Sequence, residues 1–213
     1  MDDASKTPEH AVKAAANPKA DPAARRAALR REKIAARMGL APHEHVRLAA
    51  LVEGHLEREF GRRAAGVLAF CWPIRNEFDA RPLVERLLAM GWRACMPTVE
   101  TVAAPMRFRS WTPGCAMAAD PHGIPVPAHD AEELQPDVVL LPLVAFDAAG
   151  YRLGYGGGYF DRTLAALQPR PLTCGVGFEL ARTEMLYPQP HDIPLDMIAT
   201  EARLWRPGVA IER

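Results

Sequence analysis

The stretch RLGYGGGYFDR, Arg152 to Arg162, holds four glycines within five positions and runs on into a helix-like sequence that carries an aspartate. Glycine loses more conformational entropy on folding than any other residue. A cluster this dense therefore marks a backbone that must turn unusually or let a ligand come close. Between a strand end and a helix start, unpaired backbone N–H groups and the positive helix end make an anion site. The loop is not a Walker A sequence, because no Gly-Lys-Ser/Thr follows. It is not GxGxxG either, because Tyr159 occupies the last glycine position. The same residues equally suit a turn that lets a helix pack tightly on a sheet. Asp161 falls in the first turn of that helix, where a negative side chain gains ~0.3–1 kcal/mol from the dipole without any further role. Beside a triphosphate it can instead hold Mg²⁺, which takes one or two carboxylates and otherwise phosphate oxygens and water.

A second pattern lies near the amino terminus. Arg26, Arg30, Lys33 and Arg37 recur at intervals of four, three and four, which puts them in one stripe on a helix face. Like charges at that spacing repel by roughly 0.2–0.5 kcal/mol per pair, so a bound anion would relieve the stripe. A solvated face would serve as well. Nucleic acid is a third option, disfavoured by the neutral whole and the absence of a recognisable binding motif. Only Lys6, Lys13, Lys19 and Lys33 supply ammonium groups. A phosphate grip must then rest on arginine, whose planar fork suits it, on backbone amides and on metal. Glu77, in WPIRNE, reads as a solvated loop charge or as an acceptor for the N–H groups of a polar ring, with Trp72 as apolar wall. Pro190-His191-Asp192 reads as a plain turn or as the source of a second carboxylate for a metal. No Ser-His-Asp, Cys-His or zinc-ligand spacing stands out, and no catalytic residue is assigned.

These residues need elements to position them. Residues 1 to about 20, rich in Ala, Lys, Pro and Asp without apolar period, are expected to be a disordered tail, with one domain over 21–213. Asp21-Pro22 starts a helix that runs to about Met38, and a second spans roughly 43 to 60. AAGVLAFCW reads as a buried strand, DARPLVERLLAMG as a helix capped by Asp79 and closed by Gly91, and WRACMP as a strand. MRFRSW alternates like a strand with one wet face, DVVLLPL is a buried strand, Gly156 to Leu167 a helix, and LTCGVGF a further strand. The alternation predicts an α/β fold, an open and mostly parallel sheet flanked by helices. Ligands bind such sheets outside the carboxyl ends of the strands. WPIRNE, the loop ending in GYGGG, and FELAR all follow strands there, so one crevice is expected to collect them.

Composition bounds the rest. The 213 residues carry 26 Lys and Arg against 26 Asp and Glu, which gives no global attraction to nucleic acid or to an anionic membrane. Cys71, Cys95, Cys115 and Cys174 form no CxxC pair and read as free thiols in a reducing compartment. The apolar run VVLLPLVAF is too short for the ~20 residues that span a bilayer. A soluble cytoplasmic protein is expected.

The long stretch LLPLVAFDAAGYRLGYGGGYFDRTL, with WPIRNE, MRFRSW, HGIPVP and HDIPLDMIATE in order, resembles the 5-formyltetrahydrofolate cyclo-ligase (methenyltetrahydrofolate synthetase) family from about Arg26 to Glu201. The resemblance implies a sheet of the NagB/RpiA/CoA-transferase type. It also implies conversion of 5-formyltetrahydrofolate to 5,10-methenyltetrahydrofolate with Mg-ATP, releasing ADP and phosphate through a phosphorylated formyl (iminium phosphate) intermediate. Carried over residue by residue, Arg152, Leu153, Gly154, Tyr155, Gly156, Gly157, Gly158, Tyr159 and Phe160 would cradle ATP. Arg26 and Arg30 would contact its phosphates, Asp161 and Asp192 would serve Mg²⁺, and Trp72 and Glu77 would line the folate site. A monomer acting on a folate, polyglutamylated or not, with neither nucleic acid nor membrane as partner, is the expectation. The chain departs from the family pattern at Arg26, where lysine is usual, and at Phe160, which replaces the second tyrosine. Those two keep charge or shape. Ala181 stands where glutamine is common, and Tyr187 and Gln189 where Pro and Glu are frequent.

Overall fold

The computed structural model describes residues 21–208. The expected tail, 1–20, lies outside them. Helix α1, Pro22–Met38, starts where Asp21 accepts a hydrogen bond from the Ala23 amide (3.1 Å), with Pro22 in the first turn. Helix α2, Pro42–Phe60, buries Leu48, Val52, Leu56 and Phe60, four residues apart on one face. By contrast, the only side chain that α1 buries fully is Arg37. Apolar packing therefore holds α2, and polar contacts hold α1.

The chain continues as β1 (Val67–Ala69), α3 (Arg81–Ala89), β2 (Arg93–Thr98), β3 (Arg107–Trp111), β4 (Met117–Ala119), β5 (Pro125–Pro127) and β6 (Val138–Pro142). There follow β7 (Ala145–Phe146), β8 (Arg152–Leu153), α4 (Tyr159–Ala166), β9 (Leu172–Val176), a 3₁₀ turn (Glu179–Ala181), β10 (Met197–Ala199) and β11 (Leu204–Trp205). Seven strands form one sheet in the order β11-β10-β9-β6-β1-β2-β3. The inner five run parallel, and β3 and β11 close the edges antiparallel. The mostly parallel α/β sheet is as expected. Successive residues of β6 serve opposite faces: Val138 and Leu140 join the core under α2 and α3, while Val139 and Leu141 join the core with Phe146, Leu164 and Ile198. Burial on both sides is why this strand reads as an unbroken apolar run.

The sheet consists of two sequence-local blocks. β1-β2-β3 come from residues 67–111 and β6-β9-β10-β11 from residues 138–205. A single short seam joins them, with Leu68 beside Val138 and Ala69 beside Val139. Helix α2 crosses it, packing on α3 in one block and on β10 and β11 in the other.

Several boundaries differ from expectation. Helix α4 begins at Tyr159 and not at Gly156, because Gly156 (φ 102°) and its N-cap Gly158 (φ 64°) have left-handed backbone that cannot continue into a helix. The first strand keeps only three residues. The N-cap of α3 is Ala80, although Asp79 still accepts from the Arg81 amide at 3.0 Å. The short strands β4, β5, β7, β8, β10 and β11 were not expected. All four cysteines are free, and burial pushes the Cys95 and Cys174 thiols up to about 12, which keeps them inert at neutral pH. No helix among the described residues is long and apolar enough to cross a membrane.

Candidate functional site

At the carboxyl ends of β1, β2 and β6 lies a cavity of about 870 Å³, within the range of small-molecule sites. Fourteen of the fifteen residues assigned from the resemblance line it: Arg26, Arg30, Trp72, Glu77, Arg152, Gly154 through Asp161, and Asp192. Leu153 is the exception. Its side chain is fully buried against Ala145 and Leu186, and its carbonyl accepts from the Val144 amide (3.0 Å), so it anchors the loop from behind.

The glycine loop rises from β8 and ends at α4. Left-handed torsion demands glycine at 156 and 158. At Gly154 neither torsion nor crowding does: an added Cβ would meet nothing within 4 Å, and the bare backbone faces open space. Arg30 Nε donates to the Gly154 carbonyl at 2.8 Å, and its guanidinium lies 3.5 Å from where a Gly156 Cβ would stand. Burial, with Arg26 nearby, pulls the Arg30 pKa below its ordinary value. From α4, Arg162 Nη2 donates to the Gly157 carbonyl (2.6 Å), and the guanidinium lies over the Tyr159 ring, 5.1 Å from its centroid.

The two carboxylates on this side both meet arginine. Asp161 Oδ1 accepts from Arg152 Nη2 (2.9 Å) and from the Ile193 amide (3.2 Å). Asp192 accepts from Arg26 Nη1 (2.5 Å) and Nη2 (3.3 Å) and from the Gln189 amide (2.8 Å). Burial pushes the Asp192 pKa up, but Arg26, the Gln189 amide and nearby His191 outweigh it and hold the carboxyl below its usual range. Among the described residues no group of three or more His, Cys, Asp or Glu can hold a metal ion. Two carboxylates without a cage suit a hard cation that takes most of its ligands from phosphate and water.

Trp72 and Glu77 complete the lining. The Arg81 guanidinium covers the Trp72 ring at 4.2 Å. Glu77 is only 6 % exposed. Its Oε1 accepts from the Tyr155 hydroxyl (2.6 Å) and from Arg37 Nη2 (3.4 Å), and its Oε2 from the Ile74 amide (3.1 Å). Burial raises the Glu77 pKa, and these donors together with Arg75 offset it only in part.

The basic stripe divides. Arg26 and Arg30 line the cavity. Lys33 Nζ instead donates to the carbonyls of Leu180 and Arg182, each at 2.9 Å. Arg37, 4 % exposed, donates to the carbonyls of Arg75 and Leu143, each at 2.9 Å. FELAR, expected in the crevice, does not line it; the segment holds the lysine of α1 from outside. The cavity also gains a part that local spacing did not mark. Between β4 and β5, Asp120 accepts from the His122 and Ile124 amides (both 2.8 Å), and all three residues reach the cavity. His122 meets the Tyr159 ring edge-on at 6.3 Å. A separate hollow of about 640 Å³ shares only Met106 with this site, and in it Arg107 pairs with Glu133 at 2.8 Å.

Comparison with known proteins gives the family. Residues 22–201 match the model of the 5-formyltetrahydrofolate cyclo-ligase family. The 5-formyltetrahydrofolate cyclo-ligase of Escherichia coli K12 is 33 % identical over 136 residues, 61 % of this chain and 75 % of that protein. The NMR structure of Aquifex aeolicus 5,10-methenyltetrahydrofolate synthetase superposes with a TM-score of 0.73 at 31 % identity, covering 88 % of this chain and 96 % of that one. A Mycoplasma pneumoniae 5,10-methenyltetrahydrofolate synthetase shares the fold, with a TM-score of 0.69 at 24 % identity over 83 % of this chain and 98 % of that one. With the family model spanning nearly all of the described residues and the assigned positions gathered in one cavity, the chain belongs to the 5-formyltetrahydrofolate cyclo-ligase family.

Proposed function

We propose that this cyclo-ligase drives ring closure of 5-formyltetrahydrofolate to 5,10-methenyltetrahydrofolate with Mg-ATP, both substrates sharing the cavity at the carboxyl ends of β1, β2 and β6. The observation that carries the reading is the cavity's mixed lining. The glycine loop, Arg26, Arg30, Arg152 and two carboxylates share one cavity with Trp72 and buried Glu77. Glycine-loop amides and arginines suit a triphosphate. Asp161 and Asp192 are the residues that would hold Mg²⁺, which supplies charge neutralisation to the phosphates. An indole wall beside a buried acceptor suits a flat heterocycle with N–H groups.

A formamide carbon is a poor electrophile and its oxygen a poor leaving group. Transfer of the γ-phosphoryl group to the formyl oxygen releases ADP and makes that oxygen able to leave. Nitrogen 10 then attacks the formyl carbon, and phosphate departs as the ring closes. Positioning and charge stabilisation carry such a transfer, so the site needs no nucleophilic triad.

The test is direct. Purified protein with Mg-ATP and 5-formyltetrahydrofolate is expected to produce the near-ultraviolet absorbance of the conjugated methenyl product, with one ADP per ring closed. Asp161→Asn keeps size and an Oδ1 acceptor but removes the charge, and is expected to lower turnover ~10²-fold or more with little change in melting temperature. Nucleotide binding without methenyl product, across folates of several glutamate chain lengths, would overturn the reading.

A further inference from the structure

We infer that Tyr155 is a positioning residue that couples the two halves of the cavity, so that nucleotide and folate bind cooperatively. The inference rests on the proposed function, and it starts from where Tyr155 stands. Its backbone belongs to the glycine loop, between Gly154, whose carbonyl Arg30 holds, and Gly156 with its left-handed torsion. Its hydroxyl belongs to the Glu77 part of the lining, donating to Glu77 Oε1 at 2.6 Å and accepting from Arg37 Nη2 at 2.7 Å. One residue thus has its main chain in the nucleotide half and its polar tip in the folate half.

The surroundings make that link strict. Glu77 and Arg37 are both buried, and Arg37 is already committed to two backbone carbonyls. Glu77 is held in turn by the Ile74 amide, so both side chains are fixed by partners other than the hydroxyl. The charged groups facing Glu77 are Arg37 from α1 and Arg75 from its own loop, and Arg75 also covers the Tyr155 ring at 5.4 Å. The hydroxyl is the shortest contact Glu77 makes and the one that arrives from the glycine loop. A loop displaced from its nucleotide-binding shape would withdraw this donor from a largely buried carboxylate, which then loses its shortest hydrogen bond. Each ligand that fixes its own half therefore lowers the cost of ordering the other. Linkage requires the effect to be reciprocal.

The experiment is calorimetric titration of the full-length protein with 5-formyltetrahydrofolate, without and with a saturating non-hydrolysable ATP analogue and Mg²⁺, and then in the reverse order. In wild type the analogue is expected to tighten folate about tenfold, and folate to tighten the analogue by the same factor. Tyr155→Phe keeps the ring under Arg75 and removes only the hydroxyl. Whatever it costs each ligand alone, the mutual factor is expected to fall below about twofold. Tyr155→Met, which lacks the hydroxyl on a different scaffold, is expected to lose the factor as well and serves if the phenylalanine variant is unstable. A tenfold factor retained in either folded variant, or absent from wild type, would overturn the inference while leaving the proposed function standing. Failure of wild type to bind the analogue or folate at all would overturn both.

Discussion

Arg26 and Arg37 stand at opposite ends of one stripe on α1, yet their partners differ in kind. Arg26 faces the cavity and pairs with Asp192, a carboxylate that itself lines the cavity. Arg37 lies beneath the site, with two backbone carbonyls, a buried glutamate and a tyrosine hydroxyl as its acceptors. Backbone carbonyls cannot leave, whereas a carboxylate beside open space can exchange its arginine for another cation as the arginine turns to phosphate. The near end of the stripe is thus available to a ligand, and the far end is part of the frame. Repulsion within the stripe is relieved at each position by a different acceptor, and at Lys33 and Arg37 groups of the protein itself supply it without a bound anion.

That contrast can be broken in three places. Arg37→Ala removes a buried cation, leaving Glu77 without its ion-pair partner and two carbonyls without that donor. Loss of one partner from a buried pair costs about 3–5 kcal/mol, so chemical denaturation should show a large fall in stability along with weakened binding of both ligands. A variant as stable as wild type would mean that the far end is not structural. Arg30→Ala acts at the near end. It should raise the Michaelis constant for ATP about tenfold, as expected for a charge-assisted contact, while the constant for folate at saturating ATP moves far less. A change confined to folate would reverse the assignment of the two halves. The smallest effect is expected at Lys33→Met, which loses two carbonyl contacts outside the cavity. Stability should fall by about 1–2 kcal/mol with both Michaelis constants unchanged. An altered constant for ATP would place the boundary between ligand-facing and framework charges further along the helix.

What could be read from the sequence follows the same division between local and distant causes. Helices α1 to α3 and strands β2, β6 and β9 show their period, their caps or their unbroken apolar runs within a few residues. Strands of two or three residues such as β7, β8 and β11 have no period to show, and only their pairing across the chain defines them. Gly154 to Asp161 and Arg30 stood out by composition and spacing, and they do line the cavity. Arg37 showed the same helical spacing as Arg30, but its acceptors come from residues 75, 77, 143 and 155, which no local window joins. Nothing but a family resemblance marks HGIPVP, which runs from the β4–β5 turn into β5. Its place beside Tyr159 depends on a hairpin too short to be read from spacing.

The two-block sheet has a consequence for how activity returns after denaturation. Each block pairs strands drawn from its own stretch of chain, but the β1–β6 seam must bring together the two stretches across everything from β2 to β5, and such non-local closure is slow. Trp72 and Glu77 belong to one side of that seam, and the glycine loop and Asp192 to the other. A refolding chain can thus recover most of its backbone spectrum while its catalytic centre is still in two pieces. Turnover is therefore expected to be the last native property to reappear.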